Sequence, residues 1–285
     1  MSKESSKRNS VVPPDDSVGF IGAGNMAQAI AFRMLDSGLV LPSNMIVSAT
    51  SDRNLELWKQ RAVSTTIDNS KVVKNATIVF IAVKPQYFKT AAHSISNISD
   101  AKVKCFVSVM AGKTLKNISA TLGQNYKHAH IIRVMPNTPC MVGIGCSVMC
   151  SINSDSNYNK VVYSIMSSLG LCEQIDEVLF NSVSGLCGSG PAYMYMVMEA
   201  LADGAVKKGV TRDMAMNMAA QVMKGAAEMV LSTKKHPGLL KDEVCSPGGT
   251  TICGVAELER GSVRSAFINA ISAASDRADE LTAGE

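Results

Sequence analysis

At 285 residues, 46% hydrophobic and 18% charged, the chain has the composition of a soluble globular protein long enough for two domains. A net charge of only +4, scattered basic residues and 5% aromatics exclude a basic nucleic-acid-binding surface and base stacking. The eight cysteines form no CxxC pair and the four histidines show no ligand spacing, so no metal is expected.

The first segment, "MSKESSKRNSVVPPDDS", is polar, carries acidic residues and has no apolar run. It predicts a disordered lead over 1–16 and no secretory or mitochondrial leader. No apolar stretch is long enough to cross a bilayer. Met214 to Leu231 comes nearest but is interrupted by Asn217, Gln221, Lys224 and Glu228. A cytoplasmic protein with reduced thiols is expected, binding neither membrane nor nucleic acid.

From residue 18 short β-rich runs alternate with helical stretches. The runs are "VGFI" (18–21), "MIVSA" (45–49), "ATIVFIAV" (76–83), "KCFVSV" (104–109), "HIIRVM" (130–135) and "CSVMC" (146–150). Helical patterns lie at Asn25–Ser37, Arg53–Arg61 and Gln86–Ile98. This alternation predicts a parallel sheet covered on both faces over 17–175.

After the first strand comes Gly22-Ala23-Gly24-Asn25-Met26-Ala27, then the helical spacing Met26, Ala29, Ile30, Met34. This GxGxxA is a dinucleotide-binding arrangement. Gly22 permits the tight turn, Gly24 lets a pyrophosphate approach the backbone, and the helix start offers free N–H groups. The second strand ends in Ser48, Ala49, Thr50 and Ser51, with Asp52 only later and Arg53 behind it. NAD sites usually have an acid there, whereas hydroxyls and a guanidinium suit a 2′-phosphate. NADPH is the expected cofactor, with NADH the alternative. "AVKPQ" (82–86) ends a further strand and directs Val83 and Lys84 toward the ligand crevice. Asn137 in "MPNTP" is placed near the nicotinamide end or else organises its turn.

Beyond Glu177 the strand pattern stops. Residues 190–208 and 212–232 read as long helices and 249–283 as one or two more. Their apolar faces are wide and rich in methionine, including Met194, Met196, Met198, Met214, Met216, Met218, Met223 and Met229. Such helices must be buried on more than one side, most simply against a second subunit. The architecture expected is an α/β Rossmann-like N-terminal domain (17–175) followed by an all-α C-terminal dimerisation domain (176–285).

"RVMPNTPCMVGIGCSVMC" (133–150), "GLCGSGPAY" (185–193) and "HPGLLKDEVCSPGGTTICG" (236–254), with "VGFIGAGNMA" and "AVKP", together resemble the pyrroline-5-carboxylate reductase family. The resemblance runs from Val18 to Leu281. It implies reduction of Δ1-pyrroline-5-carboxylate to L-proline with NAD(P)H, and an interlocked homodimer, with rings of dimers in some members. It implies a cofactor site formed by Ile21, Gly22, Ala23, Gly24, Asn25, Met26, Thr50, Arg53, Asn69, Ala82, Val83, Lys84, Pro85 and Asn137. It implies a substrate site of Glu177, Ser246, Gly249, Thr250 and Thr251, with Thr251 beside the ring nitrogen as the catalytic group. Glu243 departs from relatives that carry Asn there. Two other readings stay open from the residues alone. One is a Rossmann-plus-helical oxidoreductase of the β-hydroxyacid dehydrogenase type, which needs a lysine from the helical half. The other is a non-catalytic NADP sensor.

Overall fold

A computed structural model describes residues 12–13 and 16–283. Most of the lead predicted over 1–16 therefore lies outside the described residues. Val12 and Asp16 do not fit a disordered lead, because both are buried and Val12 joins the hydrophobic core.

The described residues form two compact units, one running to Ser189 and resuming at Ala274, the other of residues 190–273. The first is built on an eight-stranded sheet. Its strands are β1 (Val18–Ile21), β2 (Met45–Ser48), β3 (Ser64–Thr66), β4 (Ile78–Ile81), β5 (Cys105–Ser108), β6 (His130–Met135), β7 (Gly145–Ser151) and β8 (Gly170–Gln174). Their spatial order is β3-β2-β1-β4-β5-β6-β7-β8. The first six run parallel, in the 3-2-1-4-5-6 order of dinucleotide-binding folds. β7 runs antiparallel to β6, pairing Met135 with Val148 and Ile132 with Ser151. The parallel sheet takes one antiparallel step there, because the Thr138–Val142 turn reverses the chain directly, with no crossover helix between β6 and β7.

Helices cover both faces. α1 (Asn25–Asp36), α2 (Glu56–Gln60) and α6 (Asn157–Ser167) pack with one apolar cluster. α3 (Asn69–Asn75), α4 (Phe88–His93), α5 (Leu115–Leu122) and α7 (Phe180–Cys187) pack with the other. β1 shows how one strand serves both faces: Phe20 enters the first cluster and Ile21 the second. Phe20 stacks on Phe80 at 4.9 Å and tilts against Trp58 at 5.4 Å, contacts worth about 0.5–1.5 kcal/mol each beyond burial. On the other face Gly19 lets α3 lie directly on β1, since a Cβ there would stand 2.5 Å from Val72 Cγ1.

The sheet unit also takes in α7 and the end of α12 (Val263–Ala283). Asn181 Nδ2 donates to Asp279 Oδ1 at 2.8 Å and to Thr282 Oγ1 at 3.1 Å. The compact unit that holds the sheet thus runs on through Ser189, because α7 has its apolar side on the sheet.

The second unit contains α8 (Gly190–Lys207), α9 (Arg212–Thr233), α10 (Pro237–Val244), α11 (Thr250–Arg260) and the first turns of α12. In α8 and α9 only Ala202, Ala215 and Ala219 are buried. Met196, Met218, Val222 and Leu231 are exposed.

Candidate active site

The carboxyl edge of β1 carries the glycine loop. Gly22 has φ +105°, and a Cβ there would lie 2.6 Å from the Ala82 carbonyl oxygen. Only glycine satisfies both conditions. Its N–H donates to Ser48 O at 2.9 Å, and Ala82 N donates to Ile21 O at 2.9 Å. The loop is thereby tied to the ends of β2 and β4. Ala23 is buried, and Gly24 sits at the N-cap of α1 with open space where a side chain would project. No side chain caps α1. The first-turn N–H groups of Asn25 and Met26 therefore face outward without an intrahelical acceptor, as a pyrophosphate requires. The cradle fits a dinucleotide.

The other predicted cofactor residues of this unit line up beside it. Thr50 and Arg53 are exposed just past β2, with Arg53 in a short 3₁₀ turn, Asp52–Asn54. Asp52 lies 3.7 Å from Lys59, and no ion pair is recorded for Arg53 among the described residues. Asn69 begins α3 and accepts from Ser48 Oγ at 2.6 Å. Past β4, Val83 is half-buried, Lys84 is exposed, and Pro85 opens a 3₁₀ turn that ends the strand. A polar surface hollow lined by Cys150, Ser151, Asn159, Gln174 and Asp176 opens toward the opposite, amino-terminal edge of the parallel strands, away from these groups.

In the helical unit, residues 245–249 join α10 to α11. His236 Nδ1 accepts from Gly238 N at 3.1 Å and caps α10, which Lys235 and Glu243 span with an ion pair at 2.6 Å. Gly248 has φ +65°, and Gly249 N donates to Ser246 O at 3.0 Å. A side chain at Gly249 would collide with Ser246 Oγ, so glycine is what keeps that hydroxyl in place. α11 starts at Thr250 with Gly249 as its N-cap and no side-chain cap. Thr250 is exposed and Thr251 half-buried. This is a second uncapped helix start, flanked by hydroxyls and suited to a small carboxylate.

Residues 177–281 match the family model described as pyrroline-5-carboxylate reductase dimerisation. Residues 17–112 match one described as NADP oxidoreductase, coenzyme F420-dependent. A pyrroline-5-carboxylate reductase of Arabidopsis thaliana is 42% identical over 93% of this chain and 95% of the relative. The chain belongs to the pyrroline-5-carboxylate reductase family. Pyrroline-5-carboxylate reductase 3 of Xenopus laevis is 40% identical over 93% and 95% of the two chains. Among solved structures, the family's member from Coxiella burnetii matches with TM-score 0.83 and 35% identity over 94% of this chain and 98% of that one. The Plasmodium falciparum enzyme, solved with NADP bound, matches with TM-score 0.84 and 29% identity over the same shares.

Two of the expected site residues also have structural partners within the sheet unit. Glu177 lies in the sheet unit. Its Oε1 accepts from Arg133 Nη1 and from Leu115 N, each at 2.7 Å. Arg133 is buried on β6, with its guanidinium carbon 3.8 Å from the Phe180 ring centroid and its Nε and Nη2 unpaired. A buried cation needs a counter-ion, and Glu177 is it. Asn137 is buried as well, donating to Cys187 O at 3.0 Å and accepting from Cys146 N at 3.0 Å. Its amide organises the turn after β6, one of the two roles the sequence allowed. The lysines that a β-hydroxyacid dehydrogenase reading would call on, Lys207, Lys208 and Lys224, are exposed and outside the 245–251 loop. Sequence reasoning missed Ser94, which accepts from Asn69 Nδ2 at 2.9 Å. The two residues are 25 positions apart, and no local pattern links them.

Proposed function

We propose that the protein reduces Δ1-pyrroline-5-carboxylate to L-proline, the last step of proline synthesis, with NADPH as the preferred reductant. The supporting observation is the second uncapped helix start, at Gly249–Thr251, in a chain whose first one is a dinucleotide cradle. NADPH, when bound, supplies the hydride. The N–H groups at the start of α1 hold the pyrophosphate, with Gly22 and Gly24 leaving room for it. Thr50, Arg53 and Asn69 meet the 2′-phosphate end. Ile21 and the Ala82–Pro85 turn line the crevice, Val83 and Lys84 facing into it. Ser246 and the backbone N–H groups at the start of α11 bind the substrate carboxylate, Thr250 through its backbone. The Thr251 hydroxyl hydrogen-bonds the ring nitrogen and orients the ring. A hydroxyl both donates and accepts, so it serves the nitrogen before and after reduction. No strong acid is needed, because a protonated imine is already electrophilic.

This reading assigns cofactor binding to residues 17–175 and substrate binding and dimerisation to 176–285. It takes the protein as an interlocked homodimer able to assemble into rings of dimers, supported by the exposed apolar side chains of α8 and α9. It places the enzyme in the cytoplasm, supported by five buried free thiols, which suit a reducing compartment. No described helix is long and apolar enough to cross a membrane. The test is loss of NADPH absorbance on adding pyrroline-5-carboxylate to purified protein, with proline as product. An absorbance that stays constant removes the proposal.

A further inference from the structure

Ser48, Asn69 and Ser94 come from three separate stretches and form one hydrogen-bonded chain beside the glycine loop. Ser48 Oγ donates to Asn69 Oδ1 at 2.6 Å, and Asn69 Nδ2 donates to Ser94 Oγ at 2.9 Å. Ser94 Oγ in turn donates to Ala91 O at 2.7 Å. The Ser48 carbonyl meanwhile receives the Gly22 N–H, so the same residue anchors both the loop and Asn69.

Hydrogen inventory and distance favour this direction of the chain. A hydroxyl has one hydrogen. That of Ser94 goes to Ala91 O, so Ser94 must accept from Asn69, which requires nitrogen rather than oxygen on that side. Ser48 is fully buried, and Asn69 Oδ1 is its nearer acceptor, Phe20 O being at 3.3 Å. A flipped amide would force the Ser48 hydrogen onto the longer Phe20 O contact and take the Ser94 hydrogen away from Ala91 O. Its acceptor is turned inward to Ser48. Its second N–H has no recorded partner among the described residues and remains available to a ligand.

We infer that Ser48 and Ser94 are positioning residues that lock Asn69 as a hydrogen-bond donor toward the cofactor, selecting a 2′-phosphate over a free ribose hydroxyl. A phosphate offers only acceptors, which the outward N–H matches. A ribose hydroxyl can also accept from that N–H, but its own hydrogen then needs an acceptor, which NAD sites supply with a carboxylate. Here Asn69 withholds its carbonyl. The inference rests on the reading that Asn69 lies at the cofactor.

The test compares parent, Ser94→Ala, Ser94→Thr and Asn69→Ala. Dissociation constants for NADPH and NADH are measured by nicotinamide fluorescence, alongside KM and kcat. In Ser94→Ala the amide is free to turn. NADPH binding weakens by about threefold to tenfold, the worth of one neutral hydrogen bond. NADH binding weakens less or improves, and kcat at saturating NADPH holds. Ser94→Thr retains the hydroxyl and keeps the parental ratio. Equal weakening of both cofactors, or no change in either, overturns the positioning role. The underlying reading fails separately: if Asn69→Ala leaves both dissociation constants unchanged, Asn69 is not at the cofactor. If Asn69→Ala weakens NADPH while Ser94→Ala does not, only the positioning inference falls.

Discussion

Thr250 and Thr251 share a side-chain chemistry and a helix turn, yet the proposed mechanism gives them different jobs. Gly249 is the N-cap of α11, so neither threonine hydroxyl caps the helix. Thr251 is half-buried and Thr250 exposed. Removing the Thr251 hydroxyl should therefore cost little stability, less than the ~1 kcal/mol of a true N-cap threonine. It should cost much more in chemistry, because a positioned proton-handling group contributes on the order of 10²–10⁴-fold in rate. Thr251→Ala is expected to fold and bind NADPH normally while losing most of its turnover. Thr250→Ala should be milder, because its backbone is the proposed ligand. Steady-state assays at saturating NADPH with varied substrate separate the two. A Thr251→Ala enzyme with near-parental kcat, or a worse Thr250→Ala, would misassign the hydroxyl. The turns past β1 and β4 were legible at this scale because glycine or proline marked them, as in Gly22, Gly24 and Pro85. Ser94 and Arg133 were not, since each acts through a partner 25 or 44 positions away.

At the scale of elements, the buried runs β1 and β6 coincide with the sequence segments, and β2, β4, β5 and β7 fall within a few residues of theirs. The strands missed were β3, "STT", and β8, "GLCEQ". Both are at the edges of the sheet, β3 with no buried residue and β8 with Cys172 alone buried, so neither carries the apolar signal of a central parallel strand. The pattern read at 53–61 is split by the 3₁₀ turn at Asp52–Asn54, leaving α2 only five residues. At the junction of β6, α5 and α7 stands Glu177, which the family resemblance assigned to the substrate and whose ion-pair partner is remote in sequence. The carboxylate is 34% exposed while the Arg133 side chain is 2% exposed. Glu177→Gln should leave the guanidinium without a counter-charge. The cost is on the order of 2–3 kcal/mol, below the range for fully buried pairs because water partly screens this one. Urea titration of the variant is the measurement, with substrate KM as the second readout. A lowered midpoint with parental KM supports the structural role, and an unchanged midpoint with a raised KM would return Glu177 to the substrate.

Two properties belong to the whole molecule. Burial pushes the thiols of Cys150 and Cys172 up to about 12 and that of Cys187 to about 11. These groups ionise near 9 when unfolded, so the native state retains protons that the unfolded chain has lost. Their contribution is complete below about pH 9 and declines as pH rises from there toward 11–12. The melting temperature should fall across that window, by about 2–4 °C for each kcal/mol lost. Replacing Cys150 and Cys172 by valine and alanine should flatten the decline, and an unaltered slope would show that other groups cause it. The second property is association. α8 and α9 together bury only three alanines, while Met196, at 69% exposure, Met218, Val222 and Leu231 stand in water. On a monomer Met196→Glu would be an ordinary surface change, within about 0.5 kcal/mol of neutral. In a subunit interface it would bury an unpaired carboxylate, which is strongly unfavourable. The parent should therefore sediment as a dimer or a multiple of dimers and melt at a temperature that rises with protein concentration. Met196→Glu should shift it toward monomer and remove that dependence. If the parent stays monomeric at micromolar concentration, or Met196→Glu leaves both sedimentation and melting untouched, this helical face is not where two copies meet.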